Sequence, residues 1–136
     1  MIKKEVDRMN LIIGSHVSYN NKSQLLGSVK EALSYKANTF MFYTGAPQNT
    51  NRSVIEDSLT MEAYKLMKEN NIALEKVIVH APYIVNLANF NNFDFSVSFL
   101  INEVERCSTL GIKYLVLHPG SAVNCSREEA INNISK

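Results

Sequence analysis

Three histidines are the side chains best able to do chemistry in this chain, and each follows a run of apolar, β-forming residues. His16 stands in IIGSHVS, His80 in VIVHAPY and His118 in LVLHPGS. Neutral imidazole is the commonest nitrogen ligand of zinc, and a strand end holds it more rigidly than a loop does. A single histidine in such a place ordinarily hydrogen-bonds a neighbouring backbone group and does nothing else. Three together shift the reading toward a metal held by His80 and His118, while Ser15 and Ser18 offer His16 local partners. A pair does not complete the site, because a catalytic zinc takes about three protein ligands plus water. Glu103, Glu105, Glu128 and Glu129 fall on predicted outer helices, where a solvated face is expected, so the missing ligand is expected beyond Lys136. No nucleophile elbow or catalytic dyad is visible, and no catalytic residue is identified besides these ligands.

The elements that must position the histidines alternate. Leu11-Ile12-Ile13, stopping at Gly14, reads as a first strand buried on both faces. Leu25, Leu26, Val29, Ala32 and Leu33 then have the spacing of one helical face. Thr39 to Tyr43 is a second strand, and Leu59, Ala63, Leu66 and Met67 mark a second helix that fades at Asn70-Asn71. Lys76 to Val79 is a third strand. It leads through a long loop to a helix carrying Val97, Leu100, Ile101, Val104, Cys107 and Leu110, with Gly111 as its C′ residue. Tyr114 to Leu117 is a fourth strand. Ser126 and Glu129 have capping-box spacing ahead of Ala130, Ile131 and Ile134, a helix still running at Lys136.

Four strand-then-helix units require a parallel sheet, since a helix must return the chain to the same end. Without Gly-x-Gly-x-x-Gly after the first strand, the pattern fits the first four units of a (β/α)₈ TIM barrel better than a dinucleotide-binding sheet. In that fold all strand C-termini open onto one face, where the three imidazoles converge. A complete barrel takes about 250 residues, so 136 supply roughly half and leave both sheet edges open. Periodicity alone also allows a small open-sheet domain.

Bulk properties bound the partners. An apolar share of 46% argues for a globular chain, and fourteen basic against thirteen acidic residues provide no general field for nucleic acid. Any DNA contact must come from local placement. Cys107 and Cys125 form no C-x-x-C pair, which reads as reduced thiols in the cytoplasm. No apolar run is long enough for a membrane span, and the start lacks a signal-peptide h-region. Residues 1–9 read as a charged lead, with Met9 an alternative start, and residues 10–136 as the half-barrel.

In order along the chain, GSHVS, FYTGAPQNT, VHAPYIVNLAN and LHPGS resemble the successive strand-end motifs of endonuclease IV, the apurinic/apyrimidinic endonuclease, over its N-terminal half. The resemblance implies that His80 and His118 bind one zinc of a three-zinc cluster, whose remaining ligands belong to the second half of the barrel. His16 matches a motif that is not itself a ligand in the family and reads as active-site support. The implied substrate is double-stranded DNA with an abasic site, cleaved 5′ to the lesion to leave a 3′-hydroxyl. Tyr83 and Ile84 match the residues that wedge into the base stack, the competing reading of Tyr83 being a half-buried ring at the barrel mouth. Gln48 matches a glutamine of the second loop. Asn49 stands where some members place a groove-entering arginine, with Arg52 a nearby substitute.

Pro47, Pro82 and Pro119 lie in these loops and fix φ there. Gly120, lacking a Cβ, offers close approach to a phosphate. Two rival readings stand beside the nuclease. One is a sugar isomerase or epimerase on a related metal-binding barrel. The other is a truncated, inactive half-barrel, or one that needs the missing C-terminal half as its partner.

Overall fold

The computed structural model describes residues 11–136, so the reading of the lead at residues 1–9 lies outside the described residues. Strands and helices alternate: β1 (Gly14–His16), α1 (Gln24–Ser34), β2 (Thr39–Phe42), α2 (Asp57–Glu69), β3 (Ile78–His80), α3 (Phe93–Thr109), β4 (Tyr114–Val116) and α4 (Arg127–Ile134). The strands form one parallel sheet in the order β1-β2-β3-β4. This is the architecture of the first four units of a TIM barrel. Crossovers of this kind are right-handed, which keeps the helices on one side of the sheet.

Helices α1 and α2 bury the faces that their apolar spacing marks, but the expected face of α3 is corrected. Ile101 and Val104 are more than half exposed, and Ser96, Phe99, Glu103, Arg106 and Cys107 are buried instead, because Glu103 and Arg106 turn inward to bond the chain after β2. Leu25, Val29 and Ala32 of α1, Ala63 and Met67 of α2, and Cys107 of α3 with Leu110 just beyond it are buried in one cluster. That cluster closes on Phe40, Phe42, Val77 and Val79 from the second and third strand segments. Gly111 ends α3 at φ +63°, with its N–H donating to Ser108 O and the Ile112 N–H to Cys107 O, the paired bonds of a Schellman motif. Ser126 and Glu129 form the expected capping box. The expectation that a helix is still running at Lys136 is not met: α4 stops at Ile134, with Ser135 as its C-cap.

Two strands begin later than the apolar runs suggest. Asn38 receives the Ile13 N–H on Oδ1 (2.7 Å) and donates from Nδ2 to Leu11 O (2.8 Å). A side chain thus takes the place of ladder partners beside one backbone bond, from the Asn38 N–H to Ile13 O, and the strand ladder starts at Gly14 opposite Thr39. Lys76 belongs to a 3₁₀ turn, Leu74–Lys76, so β3 starts at Ile78. The expected burial of strands on both faces is also corrected. Leu11, Ile12 and Ile13 are each more than half exposed, as is Tyr114 on β4, because β1 and β4 are the edges of the sheet.

The largest correction concerns Glu103, expected on a solvated face. It is completely buried. Its Oε1 receives Arg52 Nε at 2.5 Å and its Oε2 the Thr44 hydroxyl at 2.7 Å. Arg106, one turn further along α3, donates to Thr44 Oγ1, Thr44 O and Ser53 O. Glu105, Glu128 and Glu129 are exposed, as expected. Removing one member of a buried ion pair leaves the other charged and unpartnered, so Glu103→Ala should cost about 3–5 kcal/mol in urea denaturation. Glu105→Ala should stay within about 0.5 kcal/mol of the parent.

Candidate functional site

Side chains alternate along a strand, and pairing in register carries that alternation across the sheet. His16 lies opposite Met41, Met41 opposite Ile78, and Ile78 opposite Tyr114. His80 is two residues past Ile78 and opposite Val116, and His118 is two residues past Val116. All three imidazoles therefore fall on the face away from the helices. The rings bear this out, with centroids 6.3 Å apart for His16 and His80 and 5.0 Å apart for His80 and His118.

Of the three, His80 and His118 meet. Their Nε2 atoms are 3.1 Å apart. His80 Nδ1 lies 2.6 Å from Ala81 O, a contact that an N–H makes, so the lone pair is on Nε2 and points at His118. A backbone carbonyl holding the far nitrogen of a histidine is the usual way a metal-binding imidazole is oriented. Two nitrogens on one tetrahedral zinc, each about 2.0–2.1 Å from the metal, lie about 3.3 Å apart, close to the separation seen here. The pair fits two ligand positions of one such ion. Among the described residues no group of three His, Cys, Asp or Glu side chains is arranged to hold a metal.

His16 joins the face but not the pair. Its ring tilts against Tyr43 at 4.7 Å, and Tyr43 also lies 5.0 Å from the ring of His80. Tyr43 escapes the sequence reading, although it is two residues past Met41 and so on the histidine side of the sheet. Ser18, a suggested partner of His16, instead bonds the Glu31 carboxylate through its hydroxyl and N–H. Burial, and after it the neighbouring His80 charge, holds the His16 imidazole below its ordinary pKa.

The loops after the strands frame this face. Pro82 O accepts the Val85 N–H, closing a turn whose central residues are Tyr83 and Ile84. Tyr83 is 61% exposed in this chain, and Ile84 is half-buried. Ala46 O and the Asn49 N–H close a similar turn around Pro47 and Gln48, and Gln48 and Asn49 are both exposed. Arg52 is not free to substitute for an arginine at position 49, because its side chain is buried against Glu103.

Asn86 ties the loop after β3 to the loop after β4. Its Oδ1 accepts the N–H of Ala88 and of Ser121, its Nδ2 donates to Ser121 O, and Pro119 O receives the Leu87 N–H. Gly120 sits inside this clasp at φ +115°, where a Cβ would overlap the Asn86 amide oxygen. The positive φ and the Asn86 contact are enough to require glycine there.

Comparison with known proteins bears on the site. Residues 29–136 match the family model of the xylose isomerase-like TIM barrel. The chain is 55% identical over 128 residues to a probable endonuclease 4 of Acholeplasma laidlawii, covering 93% of this chain and 44% of that protein. For the probable endonuclease 4 of Bacillus subtilis the identity is 52% over 128 residues, covering 91% and 42%. A crystal structure of endonuclease IV from Thermus thermophilus superposes with a TM-score of 0.71 at 26% identity, covering 89% of this chain and 44% of that one. The chain spans less than half the length of these relatives.

Two outcomes follow for this face. Gly120→Ala should lower stability by about 1–3 kcal/mol in thermal unfolding, through its backbone angle and the displaced Asn86. Because the folded protein binds the His16 proton less well than the unfolded chain does, stability should fall as pH drops through and below about 6.5. His16→Asn should flatten that part of the pH profile of Tm.

Proposed function

This chain belongs to the endonuclease IV family of xylose isomerase-like TIM barrels, and from that premise we propose that its residues serve hydrolysis of the phosphodiester 5′ to an abasic site in duplex DNA. The observation that carries the reading is the His80–His118 pair, with its Nε2 atoms converging at a separation suited to one zinc. His80 and His118 would hold that ion as part of a three-zinc centre whose further ligands lie outside this chain's 136 residues. A bound zinc supplies water acidified to a pKa of about 7 and positive charge for the attacking and leaving oxygens.

The chain's own residues orient the reactants. His80 keeps its proton on Nδ1 against Ala81 O, which leaves Nε2 basic and fixed in direction. The 3.1 Å contact with His80 Nε2 places the His118 proton on Nε2, and to hold a zinc His118 would take the tautomer with its proton on Nδ1, which frees the Nε2 lone pair. Tyr83, exposed at the apex of its turn and backed by Ile84, is suited to press into the base stack beside the lesion. Unstacking costs a few kcal/mol per step, which is least where a base is already missing. Gln48 and Asn49 would contact the same duplex from the neighbouring loop.

The endonuclease relatives favour DNA over a sugar as substrate. The free thiols of Cys107 and Cys125 accord with a reducing, cytoplasmic location. Zinc titration of the chain should reveal one ion bound through the pair, with affinity reduced more than about 100-fold in His80→Ala and in His118→Ala. The same substitutions should abolish nicking of a duplex with one abasic site wherever the rest of the metal centre is supplied. Zinc affinity unchanged by either substitution, or nicking that survives both once the rest of the metal centre is supplied, would remove these residues from the mechanism.

A further inference from the structure

Between the end of β2 at Phe42 and the start of α2 at Asp57 the chain runs without regular structure. A loop of this length inside a compact fold is uncommon unless it is functional, and its backbone carbonyls need partners. Two guanidinium groups supply them. Arg52 Nη1 donates to Ala46 O (3.2 Å), Asn49 O (3.1 Å) and Asn51 O (2.8 Å). Arg106 donates to Thr44 O (2.9 Å) and Ser53 O (2.8 Å), clamping the loop at both of its roots.

The two nitrogens of Arg52 that make bonds divide the work. Nε faces only Glu103, at 2.5 Å, and Nη1 faces only the loop, while Nη2 is buried without a partner. The guanidinium also lies over the Phe99 ring, 4.8 Å from its centroid. Glu103 and Arg106 are one turn apart on α3, so a rigid helix fixes one end of the assembly and the loop carrying Gln48 and Asn49 is the other. A Cβ on Gly45 would strike Arg52 Cδ and Nη1, so the loop closes tightly around this side chain.

We infer that Arg52, held by Glu103, is a positioning residue that shapes the Gln48–Asn49 loop for contact with nucleic acid without touching it. The DNA part of this inference rests on the function proposed above; the ordering of the loop does not. Lysine is the discriminating substitution, since its single nitrogen keeps the charge but cannot serve a carboxylate and three carbonyls at once.

The experiment compares the parent chain with Arg52→Lys, Gln48→Ala and the double variant. Backbone hydrogen exchange and binding to an abasic-site duplex are measured at several salt concentrations, below the Tm of every variant. Arg52→Lys should speed exchange in residues 46–52 selectively and weaken binding roughly three- to thirtyfold, and the double variant should lose less than the product of the two single losses. The slope of log K against log salt should be unchanged, whereas a lost phosphate contact would reduce it by about 1. Exchange that is unaltered, or raised uniformly over the chain, would overturn the inference, as would a reduced salt slope or fully multiplicative losses. If the parent binds no duplex while loop exchange still responds to Arg52→Lys, the DNA reading fails and the loop-ordering role stands.

Discussion

Alternation of side chains along a strand, locked across the sheet by parallel pairing, is the constraint on which the rest of this molecule depends. Helices on one side claim Phe40, Phe42 and Val79, and the residues between them must face the other way. His16, His80 and His118 have that parity, as does Tyr43. A slip of one residue in β3 would carry His80 into the helical core and remove the pair, so register and site are specified together. Burial of Val77 and Val79 is therefore also what aims the His80 ring.

The same logic explains which parts were legible in the sequence. Strand-helix alternation, the apolar faces of α1 and α2, the Schellman glycine at Gly111 and the Ser126–Glu129 capping box depend on residues a few positions apart. The convergence of the histidines needed only strand parity and a parallel sheet. Glu103, Arg106 and Arg52 were not legible, because their meaning comes from partners about fifty to sixty residues away in the chain. A charged residue on a helix reads as solvated until something is known to bury it. The contact that requires Gly120 was hidden for a related reason: the atom it makes room for is on Asn86, in another loop. The late start of β1 was hidden because Asn38 imitates a strand partner with a side chain.

Stability and site geometry meet in the buried cluster. A charge pair out of water gains little net free energy over an apolar pair of the same shape, and its best-supported use is to select one arrangement among several. Here Thr44, two residues past the end of β2, is bonded by Arg106 and donates to Glu103, so the root of the loop and α3 are joined through polar groups whose directions are demanding. An apolar replacement would bury the same surface without saying where the loop must go. Asn86 plays the corresponding part on the far side of the histidines, where its amide serves two loops at once.

These two clasps matter more because the chain has so little net charge. Proteins that hold DNA through a broad positive field tolerate loose loops, since long-range attraction does not depend on fine geometry. With fourteen basic and thirteen acidic residues, attraction of that kind is nearly absent. On the function proposed above, recognition would then come from short-range contacts, which reward loops that are already ordered, because each residue fixed only on binding subtracts from affinity. For the proposed DNA contact, the two arginines buried beneath the Gln48–Asn49 loop would then do more inside the protein, by ordering that loop, than they would as charges on its surface.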